Sequence, residues 1–178
     1  MKLPRTHRSH IGFTLPELLV IVVILGLLAA LAAPSFLSWV NNKRVQDVLS
    51  QVEGAIKEAQ SEAIRKSQPC KLIITTSSVS ADPQNCLPTG SRDLTEVSGG
   101  DSGAGVTFTA ANSSSVLFSA KGTTTSSNVF VLYHPDQSQG MQCLAISAGV
   151  GIIRTGEFKG PHIPSSSDAT STNCYTSS

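Results

Sequence analysis

From Leu18 to Val40 the chain carries no charged residue. These 23 positions, wound as a helix rising about 1.5 Å per residue, are long enough to cross a hydrocarbon core of about 30 Å. One carboxylate, Glu17, stands at the N-terminal edge of the stretch, behind a basic leader that ends in Gly12. A carboxylate at the edge of such a span costs free energy and generally has a function or a partner. Whatever else folds is carried on this helix.

The leader holds Lys2, Arg5 and Arg8 and no acid. A basic segment before an apolar span is retained in the cytoplasm, so the C-terminal side faces outward. Three readings compete for the span. A secretory signal would be cut after Leu31-Ala32-Ala33, but Pro34 disfavours that cut and the run exceeds the usual apolar region of about 7–15 residues. A plain signal anchor needs no special residues at its edge. The third reading is cleavage before the span, between Gly12 and Phe13.

The third reading matches a known motif. Gly12-Phe13-Thr14-Leu15-Pro16-Glu17-Leu18-Leu19-Val20 resembles the prepilin signal of type IV pilins and type II secretion pseudopilins. The resemblance implies cutting after Gly12 by prepilin peptidase, N-methylation of Phe13, and assembly with other pilins or pseudopilins through the N-terminal helix. It implies that Glu17 neutralises the N-terminal amine of a neighbouring subunit. It also implies a bacterial inner-membrane protein, single-pass with its head outside the cytoplasm, which enters a pilus or pseudopilus on assembly. Independently of the motif, Pro16 suits a first helical turn and Glu17 complements the helix dipole there. Pro34, inside the run, removes a backbone hydrogen bond and predicts a kink; the resemblance makes it a flexible point during extraction from the membrane.

From Asn41 the character changes. Val45, Val48, Leu49, Val52, Ala55, Ile56, Ala59, Ala63 and Ile64 recur at three- and four-residue steps, the stripe of an amphipathic helix. Glu53–Lys57 and Glu62–Lys66 are favourable i,i+4 pairs. Gly54 is a weak point, and the helix should end near Ser67, before Gln68-Pro69. The mature helix would then run about 50 residues, or about 75 Å.

Short strands come next. The pattern predicts them at 71–76, 105–110, 115–119, 129–134, 142–147 and 150–154, with turns at Lys121-Gly122 and Ala148-Gly149. The polar stretch 77–101 reads as a long excursion, and the Ser/Thr-rich segment 160–178 would be loose unless Cys174 is tied down. Cys70, Cys86, Cys143 and Cys174 have no zinc spacing. An even count beyond an anchor suggests disulfides. Three connectivities are open, and the local pairing closes the shortest loops.

The remaining motifs carry little chemistry. Ser98–Gly105 is glycine-rich but lacks the Gly-Lys-Ser/Thr of a phosphate loop. Asp101 has no D-x-D spacing for calcium. His134 reads as a strand-end residue rather than a ligand or base. No nucleophile–base arrangement stands out, so neither an enzyme nor a cofactor is expected.

A second resemblance lies downstream. The helix end 62–69 with a strand directly after it, Val116-Leu117-Phe118-Ser119-Ala120-Lys121-Gly122-Thr123, and Ala145-Ile146-Ser147 with Gly151-Ile152-Ile153-Arg154 look like the GspH/FimT minor pilins and pseudopilins. That family often has Gly-Arg near the last strand, and here Arg154 comes later. The resemblance implies an α+β pilin fold, the helix packed on a mainly antiparallel sheet of about five to seven strands. Some FimT-type pilins bind DNA through C-terminal basic residues, which here would be Arg154 and Lys159. Past the leader, however, ten basic residues face twelve acidic ones, and phosphate binding needs a basic excess. The expected organisation is a leader (1–12), a transmembrane and filament-core helix (13–40), an amphipathic helix (41–67) and a β-rich head (68–178).

Overall fold

The structure is a computed structural model that describes residues 14–99, 105–137 and 139–176, the side chains of 31–34 excepted. The chain forms two units, Met1–Leu37 and Ser38–Ser178. One helix, α1 (Leu15–Lys66), enters both.

In the first unit the described apolar side chains are left largely uncovered by the other described residues. Leu18, Leu19, Val20, Val22, Leu25 and Leu27 are each more than half exposed. Among the described residues no single helix is long and apolar enough to cross a membrane; Leu15–Ala30 and Ser35–Lys66 meet that test as a pair, by length and composition only. The two segments flank Pro34.

In the second unit α1 turns a continuous stripe inward. Val45, Val48, Val52, Ala55, Ile56, Ala59 and Ala63 are buried. The stripe ends differently from its sequence pattern: Ile64 is 53% exposed, whereas Glu62 is buried. Arg65 reaches the Glu62 carboxylate with two bonds of 2.9 and 2.6 Å, and Lys66 lies 3.2 Å from it. These cations satisfy the carboxylate that the stripe carries inward. The Arg65 hydrogen bonds, helped by Lys66, hold the Glu62 carboxyl below its ordinary value against the opposing effect of burial. The helix stops where Ser67 takes a positive φ of 51°. Ser67 N–H donates to Ile64 O and Gln68 N–H to Ala63 O, each at 3.2 Å, the Schellman arrangement that closes the last carbonyls.

Two sheets pack on this helix, where one was expected. The first has the order β3-β2-β1-β5, from β1 (Cys70–Ile74), β2 (Ser78–Asp82), β3 (Arg92–Asp93) and β5 (Ser115–Phe118). The second has the order β4-β6-β7-β8-β9, from β4 (Thr107–Ala110), β6 (Asn128–Tyr133), β7 (Gln142–Ile146), β8 (Ile153–Phe158) and β9 (Cys174–Thr176). Every pairing is antiparallel. The polar excursion at 77–101 supplies β2, β3 and a short helix α2 (Thr95–Ser98).

Strand β6 explains the layering. All six of its residues are buried, because both faces are covered. Phe130 and Leu132 join α1, Leu72, Phe118 and Leu144 in one core, while Val129, Val131 and Tyr133 join Cys143, Phe158 and Ala169 in another. A strand buried on both sides reads as a continuous apolar run rather than an alternating one. The Ser/Thr-rich C-terminal segment builds the second cover. Thr109 Oγ1 donates to Pro164 O at 3.0 Å, Lys159 N–H to Asn173 O at 2.9 Å, and Ala169 is 1% exposed.

The last predicted strand shifts. Gly151, with φ of 70°, is outside the extended region, so β8 begins at Ile153 and not at Val150.

Candidate functional site

Three regions carry the residues singled out from the sequence. The first is the start of α1. Gly12 and Phe13 lie outside the described residues, as does Asp101. Thr14 precedes the helix and its backbone N–H donates to Glu17 Oε2 at 3.4 Å. A glutamate reaching back over three positions to the cap residue is half of a capping box. Pro16 sits in the first turn, where a missing N–H costs nothing. Glu17 is exposed, so its carboxylate keeps lone pairs for a second donor. Pro34 lies within the helical stretch, its side chain among those not described.

The second region is the pair of disulfides. Cys70 is joined to Cys86 and Cys143 to Cys174, with Cα separations of 5.7 and 5.8 Å. The first bridge ties the turn after β2 back to the start of β1. The second ties β7 to β9 across β8 and fixes the C-terminal segment over the outer face of the second sheet.

The third region is β8 with the first residues beyond it. Arg154 stands at one end of the strand, exposed, beside Ala145 of β7. Lys159 lies past the other end, its Nζ 4.8 Å from the centre of the Tyr175 ring. Five residue-to-residue steps of extended chain separate the two by about 17 Å, and Glu157 stands between them, exposed. They do not form one basic patch. His134 is buried at the end of β6, where its Nδ1 accepts the Asp136 N–H at 3.3 Å.

Three ties were not singled out in the sequence. Gln60 Nε2 faces Gly122 O, Gly151 O and Val150 O at 2.9, 3.2 and 3.4 Å, which stitches two turns onto α1. Arg92 donates to Gln51 O at 2.8 Å and to Glu58 Oε2 at 2.7 Å. Thr89 donates to the same Glu58 from its N–H and its hydroxyl. Burial pushes the Glu58 carboxyl up, but the Thr89 and Arg92 donors outweigh it and hold it below its ordinary value. A polar residue on the flank of a stripe is a weak signal for such a tie, because its partners lie tens of residues away.

A long N-terminal helix, apolar and uncovered at its start and packed on antiparallel sheets at its end, defines a pilin-type subunit. The family described as Type II transport protein GspH matches residues 49–149, more than half of the chain, and the chain belongs to it. The prokaryotic N-terminal methylation motif matches residues 7–33. No curated protein matches the sequence. Two crystal structures of the type IV minor pilin FimU of Pseudomonas aeruginosa are similar, each at 19% identity and a TM-score of 0.47. They cover 74% and 73% of this chain, and 95% and 99% of their own. The chain is thus a GspH-family protein of the pilin and pseudopilin class, carrying the N-terminal methylation motif ahead of the family's region.

Proposed function

We propose that the chain is made as a precursor, cut between Gly12 and Phe13 by prepilin peptidase, methylated at Phe13, and assembled through α1 as a structural subunit of a pilus or secretion pseudopilus. One observation carries the reading. The methylation motif and the GspH match meet on a single helix, whose first half exposes the large apolar side chains described in it. Such a surface needs a lipid or a set of partner helices to cover it.

In this reading the protein waits in the bacterial inner membrane with its head outside the cytoplasm. Other pilins or pseudopilins then replace lipid around α1. Glu17 supports the step because its carboxylate is exposed and, among the described residues, takes a 3.4 Å bond from the Thr14 N–H. A neighbour's N-terminal amine would make a stronger, charge-assisted bond with it. Pro34 gives the helix a point at which to bend as it leaves the bilayer.

Mass spectrometry of the mature N-terminus tests the processing. A methylated Phe13 terminus is expected; an intact leader, or a cut after Ala33, overturns the reading. Glu17→Ala should be cleaved normally and then be missing from sheared filaments or pseudopili. Normal incorporation of that variant removes the assigned role of Glu17.

A further inference from the structure

A groove beside the point where α1 enters the head is set apart by its depth in a bilayer. The uncharged run ends at Val40, and Trp39 just before that end is 57% exposed. Tryptophan in such a place sits at the level of lipid headgroups. Asn42 follows Val40 by two residues, about 3 Å farther along the helix. It lines a groove of about 530 Å³ together with Gln139, Gly140, Glu157, Phe158 and Lys159. Whenever the uncharged run occupies the hydrocarbon core, a groove built on this part of α1 opens among the headgroups.

The inner wall of the groove is fixed. Gly140 has a φ of 79°, and a Cβ there would fall 2.0 Å from Asn42 Oδ1, so the turn closes on the helix only with glycine. That oxygen is buried and takes no hydrogen bond among the described residues, a cost that a donor entering the groove would remove. At the mouth stand one carboxylate and one ammonium, Glu157 and Lys159, both exposed. Two positions apart on extended chain, they are separated by about 7 Å. Neither belongs to an ion pair among the described residues. Lys159 instead lies over the Tyr175 ring, and Tyr175 stands opposite Glu157 in register. On the neighbouring stretch of α1, Lys43 and Arg44 donate to Gln46 and Asn41 rather than to acids. Asp47, one turn on, and Asp136, in the turn leading to Gly140, are exposed acids. The edge of the head is thus mixed in charge, not basic.

We infer that this groove holds the headgroup of a zwitterionic aminophospholipid while α1 spans the membrane, with the ammonium toward Glu157 and Asn42 and the phosphate toward Lys159. The chemistry of the lining selects this headgroup. A primary ammonium brings both a positive charge for Glu157 and N–H donors for the orphaned Asn42 oxygen. A choline headgroup has the charge but no N–H to donate. An anionic glycerol headgroup would meet Glu157 and Asp136 with like charge. The inference rests on the membrane-anchored reading and adds to it a lipid-selective contact that the head gives up when lipid around α1 is replaced by other subunits.

The test is hydrogen exchange of the full chain in nanodiscs of phosphatidylcholine alone, or enriched in phosphatidylethanolamine or in phosphatidylglycerol. Exchange within 139–142 and 157–160 should be at least several-fold slower with phosphatidylethanolamine than with the other two. Lys159→Glu should abolish that difference. Lys121→Glu, beside Gly122 at the end of the head where α1 stops, should keep it. Intact Cys70–Cys86 and Cys143–Cys174 bridges in each variant verify folding. Equal exchange in all three discs overturns the lipid site and leaves the anchored reading standing. Equal slowing with phosphatidylglycerol overturns the selection of an aminophospholipid, and slowing that persists in Lys159→Glu overturns the assigned phosphate contact. A chain that enters none of the discs overturns the membrane-anchored reading itself.

Discussion

The guanidinium of Arg92 lies over the helix backbone at Gly54: its Nη1 is 2.9 Å from where a Cβ on Gly54 would stand. The weak point in the α1 sequence is therefore the opening through which Arg92 reaches Gln51 O and Glu58.

Gly54→Ala gains about 1 kcal/mol of helix propensity but displaces the Arg92 Nη1 bond to Gln51 O, and a hydrogen bond from a charged group is worth about 1.5–3 kcal/mol. The single substitution should destabilise by about 1 kcal/mol, and in an Arg92→Ala background it should stabilise by about 1 kcal/mol. Urea unfolding of the detergent-solubilised chain in a double-mutant cycle reads this coupling. Additivity within about 0.5 kcal/mol would show that the two residues do not compete for one space.

Glu58 makes the same tie sensitive to pH. Its folded-state carboxyl is held below the ordinary value of 4.5. A lowered carboxyl contributes stability that is present above the unfolded value and lost as pH falls through the folded one. Melting temperature should therefore decline as pH drops below about 4.5, and Glu58→Gln should flatten that part of the profile while lowering stability at neutral pH. An unchanged acid limb in Glu58→Gln would show that other carboxylates carry it.

Gln60 Nε2 faces three carbonyl oxygens, those of Gly122, Gly151 and Val150. Gln60→Leu should cost about 1–3 kcal/mol through the carbonyls left without it, and Gln60→Glu should cost more, since an anion would then face them. Hydrogen exchange should rise first in 119–124 and 147–152. Equal exchange in wild type and Gln60→Leu would mean that these turns are held by their own bonds.

Removing Cys143–Cys174 should act at a distance from α1. The bridge spans 31 positions, and loop-closure entropy for that length is about 3.7 kcal/mol. The paired Cys143→Ala and Cys174→Ala variant should lose about that much and become open to proteolysis within 159–173, uncovering Val131, Tyr133 and Phe158. The paired Cys70→Ala and Cys86→Ala variant, with 16 positions and about 3.1 kcal/mol, should leave that segment protected. Identical cleavage patterns would refute the division.

The fold was legible where its signal is local. The stripe from Val45 to Ala63 appears as read, because a period of three to four residues leaves a helix only one face to bury. Six strands were visible from β-branched runs and turn residues. Strands β2, β3 and β9 were not, because Ser78–Asp82, Arg92–Asp93 and Cys174–Thr176 are mostly polar and form strands by pairing to neighbours already in place. Ile64 and Glu62 exchanged roles because the helix end is decided by Arg65 and Lys66, which can accompany a carboxylate inward. Arg154 and Lys159, near in sequence, are kept apart by an extended strand.

Sequence alone determined the N-terminal half: an uncharged run of helix length, a glutamate at its edge and a glycine before the aromatic residue are local chemistry, readable without a fold. It also determined that the second half of α1 must lie on a β-rich head. Only the tertiary structure decided how that head is layered. It laid a Ser/Thr-rich segment over the outer face of β6, joined Cys143 to Cys174, and brought Asn42 beside Gly140. Those relations join residues tens of positions apart, and their free energy comes from burial and hydrogen bonding that exist once the chain has closed on itself.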